Sequence, residues 1–137
     1  VSEPVDFNQQ IIDDFRANAG VVGGFFEGKP VVLLHHTGAK SGAKRVSPLM
    51  YTTDGDRVVI FASKGGAPTN PDWFHNLRAN PDTEIEIGTE RRAVRAVEVT
   101  GADRDRLWEK QKAEYPQFAE YEQATTRTIP VIALEPR

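Results

Sequence analysis

The sequence of 137 residues contains no cysteine. That absence excludes a disulfide framework, a thiolate nucleophile and a zinc or iron–sulfur centre held by cysteine, and it fits a cytoplasmic location. No stretch approaches the ~20 apolar residues needed to span a bilayer, so no integral membrane association is expected. Val1 to Phe7 hold two acids and no basic region ahead of an apolar run, which argues against secretion, and a start at Val1 rather than methionine fits removal of an upstream segment. A positive surplus is missing too: 17 Lys and Arg stand against 20 Asp and Glu. With a net charge of -3 there is no global field to draw in nucleic acid, so any anion site must be local. Histidine is scarce, and adjacent strand residues such as His35 and His36 point to opposite faces, while His75 has no acid at ligand spacing. No metal site is expected. Internal repeats, low-complexity tracts and a dividing linker are also absent.

What remains is ordinary globular material, with 39% hydrophobic and 27% charged residues, enough apolar surface to pack a core. The length suits one folding unit over 1–137. Phe7, Ile11, Phe15 and Ala19 recur every four positions, so a helix is predicted over about 6–20, with Asp6 as cap and Gly20 as terminator. Pro30 to Thr37 is a β-branched apolar run. Arg45 to Thr53 and Arg57 to Ser63 flank Asp54-Gly55, a hairpin signal. Asn70 as cap and Pro71 at the first helical position predict a short helix in PDWFHNLRAN, stopped by Pro81. Thr83 to Ile87 and Arg91 to Val99 read as a charged antiparallel pair joined near Gly88. Thr100 and Asp103 open a helix to about Tyr115, Pro116 interrupts it, a second piece reaches Ala124, and Ile129 to Leu134 forms the last strand. Hairpin-length links without βαβ alternation predict an α+β fold, a mainly antiparallel six-stranded barrel with appended helices.

Chemistry concentrates in two places. In Thr37-Gly38-Ala39-Lys40-Ser41-Gly42-Ala43-Lys44-Arg45 three cations fall within six residues, beside glycines that free backbone N–H groups to face an anion. Each charge-assisted bond in such a phosphate cradle is worth roughly 1.5–3 kcal/mol when shielded. A solvated hairpin loop has equal standing on this segment alone. A P-loop is excluded, because the spacing is wrong and a strand rather than a helix follows, and no Rossmann fingerprint is present. The second place is Ala62-Ser63-Lys64-Gly65-Gly66 with Pro71-Asp72-Trp73-Phe74-His75-Asn76. A strand end, a diglycine and an aromatic helix together could wall a flat ring.

Taken in order, GAKSGAKR, Ser47-Pro48-Leu49, SKGG, PDWFHNLRANP and AEYPQFAEYEQATTRTIPVIALEP resemble the deazaflavin-dependent nitroreductase family, over roughly Val31 to the C-terminus. The resemblance implies a split β-barrel related to flavin mononucleotide-binding oxidoreductases, and coenzyme F-420, whose tail carries a phosphate and several glutamates. By position it assigns Lys40, Ser41, Gly42, Lys44 and Arg45 to the tail. Ser47, Pro48 and Leu49, with the backbone of Ser63, Lys64 and Gly65, would lie along the ring, and Asp72, Trp73 and Asn76 would close the groove. Ala39 stands where many relatives carry Arg, which implies a cradle short of one cation.

Tyr115, Phe118 and Tyr121 would face the acceptor side. Phe118 stands where some relatives that reduce bicyclic nitroimidazoles have tyrosine, which argues against that activity here. The implied reaction is hydride transfer to a small electron-poor acceptor, a quinone, nitroaromatic or activated enone, with Ser63, Tyr115 or Tyr121 hydrogen-bonding the developing anion. Flavin mononucleotide is the alternative cofactor, since its phosphate could also use Lys40 and Arg45, and a non-catalytic deazaflavin carrier is the alternative role. Related barrels often form homodimers, though nothing in the sequence marks an interface. A membrane-held quinone would add peripheral contact with the inner face of the membrane.

Overall fold

The computed structural model describes residues 7–23 and 28–137. Helix α1 spans Phe7–Ala17. It buries Ile11, Ile12 and Phe15 against Val31 and Leu33 of the sheet. The predicted end signal holds, with Gly20 at φ +91° donating its N–H to the Phe15 carbonyl at 2.8 Å. Ala19, predicted on the buried face, lies past the helix and is exposed, so the apolar period stops one turn early. The expected cap, Asp6, lies outside the described residues.

Seven strands form one antiparallel sheet among the described residues: β1 (Val31–Thr37), β2 (Lys44–Met50), β3 (Thr52–Asp54), β4 (Arg57–Phe61), β5 (Asp82–Ile87), β6 (Glu90–Val99) and β7 (Val131–Pro136). Their order is β2-β1-β5-β6-β7-β4-β3. The predicted count of six is corrected by one break: Arg45 to Thr53 divides at Tyr51, whose N–H turns to the Pro30 carbonyl at 3.3 Å. Before the break the run ladders with β1, from Val31↔Met50 to Thr37↔Lys44, and after it with β4. A single straight strand cannot serve both partners. Because β2 and β3 are the two ends of the sheet yet adjacent in sequence, the chain itself draws the edges together and curls the sheet into a split barrel.

At β1, β4 and β7 both faces of the sheet are buried, which explains their near-continuous apolar runs, whereas β6 exposes one face. Val32, Leu34, Ile60, Ile85 and Leu134 face inward and meet Trp73, Phe74 and Leu77 of helix α2 (Asp72–Ala79). The alternate residues Val59, Phe61, Val131 and Ala133 meet Leu107 and Trp108 of α3 (Gly101–Glu114) and Phe118 of α4 (Gln117–Gln123). Each fully buried side chain of this size contributes roughly 1.5–3 kcal/mol.

Helix α3 begins after Thr100 as predicted, whereas the start of α2 is corrected by one residue, and neither helix has the side-chain capping bond that its sequence suggests. Pro71 is itself the capping position of α2, and no side chain caps the helix. Asn70 Oδ1 instead accepts from Arg127 Nη1 at 2.7 Å. Likewise Thr100 makes no side-chain cap on α3, and the Asp103 carboxylate accepts from Arg106 at 2.5 Å and from Arg57 at 3.4 Å. At Asn70 a tertiary guanidinium takes the side-chain oxygen, and at Asp103 the carboxylate is taken mainly by Arg106 one turn along the same helix, each a charge-assisted bond about twice as strong as a neutral one.

Candidate functional site

The loop between β1 and β2 is held by its own backbone. Gly38 N–H donates to the Ala43 carbonyl at 2.8 Å, and Gly42, at φ +69°, returns its N–H to the Gly38 carbonyl at 3.0 Å. Ser41 Oγ turns inward and accepts from Ala43 N–H at 3.1 Å, so this hydroxyl shapes the loop. A cleft of about 600 Å³ lies beside it, lined by Lys40, Ser41 and Arg45 with Asp72, His75 and Asn76 of α2. Lys40, Lys44 and Arg45 are exposed and have no ion pair or hydrogen bond among the described residues. Every other described arginine has an acid or carbonyl partner. Lys40 and Arg45 border this cleft and Lys44 the next one, which also includes Arg45, so positive charge is concentrated locally in an acidic protein.

Asn76 locks this loop to the barrel. Its Oδ1 accepts from Ala39 N–H at 2.9 Å, which turns its amide nitrogen toward His36 Nδ1, also at 2.9 Å. Burial pushes His36 down to about 4, and the nearby Arg45 charge acts in the same direction, so the imidazole is neutral near pH 7. A neutral ring that accepts at Nδ1 must carry its proton on Nε2, which donates to Ser47 Oγ at 2.9 Å. The Ser47 hydroxyl oxygen is thereby occupied, and its own proton is left to point elsewhere. Ser47 and Trp73 border two clefts, one shared with Arg45 and Asp72 and one shared with Pro48 and Leu49. Three adjoining clefts therefore follow one another from the cations to Trp73, and together they are referred to as the groove.

The far end of this groove has a volume of about 350 Å³. Ser47, Pro48, Leu49 and Met50 of β2 form one wall, and Phe61, Ser63, Lys64 and Gly65 with Pro71 and Trp73 form the other. Gln117, Phe118 and Tyr121 of α4 border its mouth. Such apolar walls with few polar groups suit a flat ring system. Phe118 is buried edge-on between Phe61, at 5.8 Å, and Tyr121, at 5.2 Å, so it belongs to the packing as much as to the cleft. The structure does not bring Tyr115 into the lining. It packs against the cluster around Trp108, and its N–H closes α3 on the Gln111 carbonyl.

Sequence reasoning passed over three residues. The role of His36 depends on Asn76 from a helix 40 positions away, a pairing that no local pattern marks. Gln117 donates to the Tyr121 hydroxyl at 3.2 Å and accepts from Lys29 Nζ at 3.3 Å, fixing the phenol at the mouth. Arg127 grips the Ser63 and Ala67 carbonyls at 2.9 Å each. Only the Gln117 to Tyr121 spacing of one helical turn was available beforehand.

Fold and clefts together define a class by shape alone: a split barrel with exposed cations at one cleft and an apolar, aromatic-lined cleft close by. Known proteins agree. The profile of the family described as F420H(2)-dependent quinone reductase matches residues 9–136. A Mycobacterium tuberculosis protein named F420H(2)-dependent quinone reductase is 42% identical over 127 residues, covering 90% of this chain and 85% of that protein. A solved structure titled as an F420-H2 dependent reductase is 38% identical and covers 82% of this chain and all of its own, with a TM-score of 0.71. A second, described as a domain-swapped dimer, is 36% identical and covers 93% of each chain with a TM-score of 0.72. The chain belongs to the F420H(2)-dependent quinone reductase family. It is an oxidoreductase that uses coenzyme F420.

Proposed function

We propose that the groove holds reduced F420 lengthwise, with Lys40, Lys44 and Arg45 on the phosphate and glutamate tail and Ser47 to Leu49, Ser63 to Gly65 and Trp73 along the ring. The observation that carries this reading is the succession of adjoining clefts, through shared Arg45, Asp72, Ser47 and Trp73, from three unpaired cations to an aromatic wall. The residues fit the group, because an anionic tail supplies the partners that those cations lack and a ring of flavin size matches the apolar end. When bound, the reduced deazaflavin supplies a hydride.

The chain's own part is positioning and hydrogen bonding. Trp73 and Pro48 exclude water from one end, and Tyr121, oriented by Gln117, offers its phenol at the mouth, where a quinone would dock. The Tyr121 and Ser63 hydroxyls donate hydrogen bonds to the quinone oxygen as negative charge develops there, and solvent completes the protonation to the quinol. Such an enzyme would work in the cytoplasm as a homodimer, and would meet a membrane-held quinone by peripheral contact.

Anaerobic turnover tests this reading. Reduced F420 is mixed with a soluble quinone and its reoxidation followed, with a nitroaromatic and an enone alongside. The expected result is saturable oxidation with the quinone and a lower kcat in Tyr121→Phe. No oxidation of reduced F420 by any of the three acceptors would overturn it.

A further inference from the structure

We propose that Arg127 is a positioning residue that aims the Lys64 backbone N–H into the ring cleft, where it donates to a carbonyl oxygen of the bound ring. The inference rests on the cofactor reading above. Arg127 follows α4, and its guanidinium spans the segment between β4 and α2, reaching the Ser63 carbonyl at 2.9 Å, the Ala67 carbonyl at 2.9 Å and Asn70 Oδ1 at 2.7 Å. Among the described residues no carboxylate pairs with it, and burial alone acts on its charge, lowering its pKa. A half-buried cation whose partners are all neutral oxygens of one loop fixes the shape of that loop and polarises its peptides.

The peptide unit joining Ser63 to Lys64 receives the strongest constraint. Its carbonyl accepts twice, from Arg127 Nη2 and from Gly66 N–H, both at 2.9 Å. In a trans peptide the N–H points opposite to the carbonyl, so the Lys64 N–H is directed away from Arg127. That N–H has no partner among the described residues, and Lys64 borders the ring cleft. Lys64 also holds φ at +47°, a conformation that costs a non-glycine residue of order 1–3 kcal/mol and persists where surrounding structure enforces it. Here the enforcing groups are Arg127 and the packing of Gly66 on α4. Withdrawing electron density from the Ser63 carbonyl makes the Lys64 N–H a better donor, and the ring's carbonyl oxygens carry more negative charge once the ring is reduced.

The test uses the full chain as wild type, Arg127→Met and Arg127→Lys, with thermal melting to establish that each is folded. Binding of oxidised and of reduced F420 is measured by tryptophan quenching, and the Lys64 amide resonance is followed by nitrogen-15 NMR. In wild type the Lys64 resonance shifts on cofactor binding. Arg127→Met loses roughly tenfold in affinity for reduced F420, a 1.4 kcal/mol effect, and less for the oxidised form, while Arg127→Lys recovers part of the loss. An unmoved Lys64 resonance in wild type that binds F420, or equal affinity of wild type and Arg127→Met for the reduced form, would overturn the proposal. Should Arg127→Met fail to fold, the wild-type resonance and Arg127→Lys decide the matter. Wild type that binds neither form contradicts the cofactor reading itself.

Discussion

Arg45 and His36 show two ways in which a residue's partners decide its role. Arg45 is exposed and makes no hydrogen bond or ion pair among the described residues, and its charge reaches the fold only as a secondary influence on His36. Arg45→Ala should therefore melt within about 0.5 kcal/mol of wild type, yet bind F420 more weakly by roughly 1.5–3 kcal/mol, as calorimetry would show. His36 is the reverse, a buried group that must stay neutral to keep the bonds to Asn76 and Ser47. Its pKa falls from 6.5 in the unfolded chain to about 4 in the fold, so between these values the unfolded state binds more protons. Its contribution to stability is complete above pH 6.5 and is lost as the pH falls toward 4. Melting of wild type and His36→Gln across that window should show their difference in stability shrinking with acidity. A constant difference would contradict the neutral, buried imidazole.

Among the elements, the turn after β4 and the helix α4 both border the ring cleft, and they meet closely at Gly66. A Cβ there would stand 2.8 Å from both the Tyr121 carbonyl and the Ala124 Cβ, and φ is already +83°. Gly66→Ala should cost about 1–3 kcal/mol in urea unfolding and also weaken F420 binding, because α4 must retreat with Tyr121 on it. Loss of stability with unchanged binding would separate this contact from the site. Most elements were legible beforehand, because hairpin turns and periodic apolar runs are local signals. The break at Tyr51 was not. It is imposed by two different strand partners, and the residues 45–53 carry no proline or glycine at that point to mark it. The cap at Asn70 failed because a guanidinium 57 positions away claims its side chain, whereas at α3 the Asp103 carboxylate turns to Arg106 one turn along its own helix.

At the scale of the whole molecule, an acidic chain gathers three unpaired cations, among its described residues, beside adjoining clefts. The cation cluster and the aromatic segment could be read in the sequence, and the resemblance joined them. Their adjacency through Ser47, and the buttressing by His36, Asn76 and Arg127, depend on residues 11 to 64 positions apart meeting in space. Because the loop cations are solvent-exposed, F420 affinity should fall as salt rises from 0.05 to 0.5 M, roughly the range over which screening shortens from above 10 Å toward 4 Å. The most direct test of the central claim is an equilibrium titration of F420 into wild type and into a Lys40→Ala, Lys44→Ala, Arg45→Ala triple variant, with flavin mononucleotide as competitor. Saturable quenching in wild type, at least tenfold weaker in the folded triple variant and not displaced by flavin mononucleotide, is the predicted result. Equal affinity in the two proteins, or binding of flavin mononucleotide alone, would contradict it.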